Sequence, residues 1–91
     1  MTFNIEERKK QREEILIKAY SYYYNGDYKG YSVSFNLQEK GDREAYSNYI
    51  YLQEKKWIFI YNHHIAGIFF ARITANGVEE AERLIKGGDR K

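Results

Sequence analysis

The stretch YLQEKKWIFIYNHHIAGIFFARITANGVEEAERLI, residues 51–85, changes its periodicity twice. It leaves helical spacing at Lys56, alternates like a hairpin as far as Ile73, and re-enters a helix after Thr74. The runs WIFIYN and IFFARIT read as two strands joined by HHIAG. Ile58 and Ile60 share one face of the first strand, with Trp57, Phe59 and Tyr61 on the other. In the return strand Phe69, Ala71 and Ile73 share a face, with Ile68, Phe70 and Arg72 opposite. Both faces of this hairpin are apolar, whereas a half-exposed hairpin alternates oily and polar residues. One face must lie on helices, and the other needs cover from the first helix or from another chain.

Working outward from the hairpin, Thr74 is placed to cap a last helix, whose stripe is Val78, Ala81, Leu84 and Ile85. Gly87 and Gly88 are expected to stop it, leaving 87–91 as a tail. Upstream, a helix is expected over 43–56, started by Gly41 and an Asp42 cap. At about 100° per residue, Ala45, Tyr46, Tyr49, Ile50 and Leu52 fall in one arc and would pack. Glu44, Ser47, Asn48, Tyr51, Glu54 and Lys55 fall on the opposite, open face. Before it, FNLQEK is expected to form a short helix capped by Ser34, preceded by an extended segment with Tyr31, Val33 and Phe35 on one side. A first helix runs to Asn25 and Gly26, with Ile15, Leu16, Ala19, Tyr20 and Tyr23 as its buried stripe. Residues 1–12 form a charged helical extension without such a stripe, either solvated or projecting to pair with a second subunit.

A chain of 91 residues makes one domain, here 1–91. With no cysteine, disulfides and thiolate metal sites are excluded, and with no proline, long helices run uninterrupted. The N-terminus lacks the apolar core of a signal peptide and no run reaches membrane-spanning length, so a cytoplasmic protein with no membrane partner is expected. The net charge of +2 selects no partner by itself. Within 6–14, 41–56 and 78–91 acids and bases cancel, and the surplus is Lys18 and Arg72.

The order of elements, helix, short strand, short helix, turn, helix, hairpin, helix, resembles the winged helix-turn-helix domain. The residues that carry the resemblance are YLQEKKWI and ARITANGVEEAERL. Many winged-helix regulators of bacteria and archaea end the recognition helix with a leucine, charged residues, a glycine and an apolar pair that opens the wing. Leu52, Gln53, Glu54, Lys55, Lys56, Trp57 and Ile58 fill those places, with Lys56 where glycine is usual. The same regulators leave the wing with an aliphatic residue, threonine, two variable residues and glycine, matched by Ile73, Thr74, Ala75, Asn76 and Gly77. The resemblance spans about residues 12–86 as architecture, in the compact bacterial, archaeal and phage type, and implies an α+β fold.

It also implies a DNA-binding protein, a transcriptional regulator with helix 43–56 in the major groove and hairpin 57–74 as the wing. On that reading Asn48 could read adenine and Ser47 could hold a phosphate or base edge. Tyr51, Lys55 and Arg43 suit backbone contacts, and His63 and His64 at the wing tip could touch phosphate. A homodimer would double the few spare cations and set two recognition helices about 34 Å apart. A positive surface built from Arg43, Lys55, Lys56, Arg72 and the first helix would favour double-stranded DNA. The alternative is a winged-helix protein-protein interaction module without DNA binding, favoured by the near-neutral helix face and by Trp57, Phe59 and Tyr61. No phosphate loop, nucleophile elbow or metal-ligand spacing is present, so neither an enzyme nor a cofactor is expected. Glu79, Glu80 and Glu82 read as a solvated helix face.

Overall fold

Twenty residues with helical spacing and no proline form α1 (Ile5–Tyr24), which ends at an Asn25 cap followed by Gly26 in the left-handed region. The computed structural model describes residues 4–26, 29–62 and 67–88. After α1 come β1 (Tyr31–Ser34), α2 (Lys40–Glu54), β2 (Ile58–Asn62), β3 (Ile68–Ile73) and α3 (Ala75–Gly88). The architecture among the described residues is α+β: helices on one antiparallel sheet of order β1-β3-β2. His63, His64 and residues 89–91 lie outside the described residues.

The register sorts the side chains by face. Ile58 pairs with Ile73 and Ile60 with Ala71 on one side, Phe59 with Arg72 and Tyr61 with Phe70 on the other. β1 joins the far side of β3, with Tyr31 opposite Ala71 and Val33 opposite Phe69. Leu16 of α1, Leu52 of α2, Ile58 and Ile73 are the largest fully buried side chains, so the core lies between the helices and the inner face. Ala19, Ala71 and Ala81 let the backbones approach there. Toward β1 the core turns aromatic. The Phe35 ring meets Tyr46 and Tyr49 edge-on at 5.2 and 5.5 Å, the geometry that aromatic quadrupoles favour.

Two junctions hold α2 and α3 to the hairpin. At the end of α2, Trp57 N–H donates to Leu52 O and Lys56 N–H to Gln53 O, the paired bonds of a Schellman motif. Lys56 fills the left-handed position at φ 67°, where glycine would be unstrained. At the start of α3, the Thr74 hydroxyl donates to Lys56 O and accepts the Gly77 N–H at 3.0 Å. Gly77 is required there by contact: a Cβ would stand 2.0 Å from Trp57 O and 2.6 Å from Ile73 Cγ1.

Several expectations are corrected. No helix forms over FNLQEK; residues 37–38 make a turn, and α2 begins at Lys40, drawing Gly41 and Asp42 into its first turn. Side chains outcompete the helix for the local amides, since Asn36 N–H donates to Asp42 Oδ2 and Gln38 N–H to Asn36 Oδ1. Gly87 and Gly88 lie within α3 rather than stopping it, and Ile85 is 39% exposed rather than part of the core stripe. Glu82 accepts the Tyr20 hydroxyl at 2.9 Å, tying α1 to α3, and Glu80 pairs with Arg83, while Glu79 is exposed.

Candidate nucleic-acid interface

The outward arc of α2 is set by its period. At about 100° per residue, Arg43, Glu54, Ser47, Lys40, Tyr51, Glu44 and Lys55 succeed one another around one side. All seven are exposed, while Tyr49 and Leu52 on the other side are buried. Arg43 also serves the loop before the helix. Its Nη1 donates to Leu37 O and Gln38 O, both at 3.0 Å, so one of three guanidinium nitrogens holds the 37–38 turn. The Ser47 hydroxyl donates to Arg43 O at 2.9 Å, one turn back, and leaves its oxygen as an acceptor.

Asn48 is the correction. It was expected on the open face, but it is 5% exposed and its Nδ2 donates to Gln11 Oε1 of α1. Position 48 borders the exposed arc on the side that α1 occupies. A polar side chain there bridges the two helices, with its amide engaged by α1 at the wall of the groove described below. Tyr51 keeps its place, 40% exposed, yet it is not alone. The Arg12 guanidinium lies 4.2 Å from its ring centroid and the Lys55 ammonium 6.0 Å, Lys55 also reaching 5.5 Å from the Trp57 ring. Both cations are within the range at which an aromatic face attracts them.

Arg8 and Arg12 are what the sequence reading missed. They stand four residues apart and continue the line of the buried stripe of α1, respectively two turns and one turn before Ile15 and Leu16. That line faces α2. Summed along the chain, the charges of 6–14 cancel, but the helix separates them by side. Arg8 and Arg12 line a groove together with Lys40, Arg43, Ser47 and Tyr51, where Glu44 is the one carboxylate. Extending the apolar stripe backwards through the charged half would have found them.

Below Tyr51 the groove continues into a cleft of about 240 Å³ floored by Leu16, Leu52 and Leu84 and edged by Trp57 and Lys55. Glu80 lies at its rim. The side-chain bond from Arg83 holds its carboxyl below the usual range, with burial opposing and Lys55 assisting. Among the described residues no cluster of histidines and acids could hold a metal ion, and no helix is long and apolar enough to cross a membrane. No protein-family model matches the chain, and no curated protein or solved structure is detectably similar to it.

Proposed function

We propose that this chain is a DNA-binding protein of the winged helix-turn-helix kind, a cytoplasmic transcriptional regulator that acts by binding, without a catalytic step. In this reading α2 lies in the major groove and the hairpin of β2 and β3 is the wing. The observation that carries it is the gathering of Arg8, Arg12, Lys40 and Arg43 against a single Glu44 in the groove beside the exposed face of α2. Duplex affinity comes largely from phosphates neutralised by such cations. The pairing of β1 with β3 and the joints at Lys56 and Thr74 support the same reading. The loop 35–39, braced by Asp42 and Arg43, stands where a second helix is usual. Two copies acting together would double the cations, which light scattering would show as a dimer.

The test is fluorescence anisotropy with a labelled mixed-sequence duplex between about 50 and 200 mM salt. Four phosphate contacts predict a log–log slope of about −3.6. Lys40→Ala, Arg43→Ala and Tyr51→Ala should each weaken binding in a domain that still melts cooperatively. Absence of binding at the lower salt, or a slope near zero, overturns the reading. It would turn attention to a protein partner for the same face, which Glu44 and Glu54 on the exposed arc favour.

A further inference from the structure

Among the described residues, α1, α2 and α3 leave the second side of the sheet exposed at Ser32, Ser34, Phe59 and Arg72, and at its edge the Tyr61 hydroxyl donates to Lys29 O at 3.4 Å. Its strands alternate, so Ser32, Phe70 and Tyr61 stand in one cross-strand row and Arg72 and Phe59 in the next. Phe59 is 45% exposed, and Tyr61 and Phe70 are half-buried. The rings form a continuous surface, Phe59 to Tyr61 at 5.5 Å and Tyr61 to Phe70 stacked at 5.6 Å. The Arg72 guanidinium lies 5.4 Å from the Phe59 ring centroid. No acidic residue occurs in β1, β2 or β3, and Arg72 is their one charged residue.

We propose that this face is a second binding site, a stacking platform for the unpaired bases of a single-stranded nucleic acid. Aromatic rings on an open sheet beside a cation match bases joined by phosphates, because every base has a π-face and every linkage an anion. Charge argues against a second copy of this chain as the occupant. A second copy packed on the same face would remove two Arg72 guanidinium groups from water with no carboxylate on either sheet to receive them, and an uncompensated buried charge is strongly unfavourable. A nucleic acid strand supplies the rings' partner and the arginine's together. The serine hydroxyls of Ser32 and Ser34 are exposed on the β1 side of the same face, where they can accept from or donate to base edges.

The experiment uses the full chain with fluorescein-labelled dT15 and U15, followed by anisotropy at low salt, beside the labelled duplex. Saturable binding of either strand is expected, and their ratio tells whether DNA or RNA is preferred. Phe59→Ala and Arg72→Gln should each weaken it, Phe59→Ala by about tenfold, the loss typical of one stacked base. Phe59→Trp should restore or strengthen it. Lys40→Ala should weaken the duplex and spare the single strand, so failure here is separable from failure of the duplex reading. No saturable binding of either strand overturns the proposal. So does single-strand binding that Phe59→Ala and Arg72→Gln leave intact, or a dimer that Phe59→Ala dissolves.

Discussion

The guanidinium of Arg12 on α1 lies 4.2 Å from the centre of the Tyr51 ring on α2, and no other described contact brings a cation so near an aromatic face. It joins the first helix to the exposed side of α2, and it fixes where a positive charge stands relative to the groove. Such a contact at a half-exposed site is worth about 0.5–1 kcal/mol. Arg12→Ala and Tyr51→Ala should therefore couple. If both act in duplex binding, the double variant will bind better than the sum of the two single losses predicts, because each single change already breaks the pair. Strict additivity in anisotropy titrations would show that the two residues act on DNA independently or not at all.

Asn48 separates a structural role from a recognition role. Its side chain is buried and bonded to Gln11, so Asn48→Ala should lower stability by about 1 kcal/mol through the lost bond and the small void. The same change should leave the salt slope of duplex binding where it was. A residue that read a base would behave in the opposite way, losing sequence preference with little change in melting temperature. Thermal melting followed by circular dichroism, with anisotropy on the same sample, distinguishes the two.

These two residues also show what the sequence could and could not convey. The two faces of the hairpin, the α2 stripe and the Thr74 cap were legible, since strand alternation, helical spacing and capping chemistry are local rules. The side of α2 on which Asn48 would fall was not, because it depends on where α1 crosses, and that crossing is set by packing at Leu16 and Leu52. The same crossing turns a charge-neutral segment into a cationic edge at Arg8 and Arg12. The loop 35–39 escaped for a different reason: Asp42 and Arg43 reach back to it, and a contact of that kind competes with a short helix that costs much to nucleate. The apolar outer face of the hairpin was legible, but that the described helices would leave it exposed was not.

Lys56 occupies a left-handed position that the end of α2 requires. A side chain there costs about 1–2 kcal/mol against glycine, which has no Cβ to clash. Lys56 is exposed, and its backbone supplies the motif's bonds, so glycine can replace it without losing them. Lys56→Gly should stabilise the domain by about 1 kcal/mol, somewhat less than the full cost because glycine also loosens the unfolded chain. Lys56→Val should destabilise it, a β-branched residue being the least tolerant of positive φ. Urea unfolding of the three proteins gives the order. A Lys56→Gly midpoint below that of the parent would mean the lysine side chain contributes more than the backbone strain takes away.

Tyr31 and Tyr49 share one hydrogen bond of 2.7 Å between buried hydroxyls, in which either can donate. Removing one hydroxyl leaves the other buried without this partner, so Tyr31→Phe and Tyr49→Phe should each cost about 1–2 kcal/mol. The double variant removes both and should cost less than the sum, a coupling a double-mutant cycle reads directly. The pair also makes stability depend on pH. Burial, followed by the bond to Tyr49, pushes the Tyr31 hydroxyl up from its ordinary value of 10.0, and burial pushes Tyr49 up as well, the shared bond partly offsetting it. In the unfolded chain both phenols lose their protons near pH 10, while the folded protein holds them. The unfolded state then binds fewer protons, so stability is fully present below about pH 10 and falls as pH rises beyond it. Urea midpoints should be flat from pH 7 to 9 and drop above pH 10, and the drop should be smaller in the double phenylalanine variant. An identical alkaline drop in that variant would remove this pair from the account of alkaline unfolding.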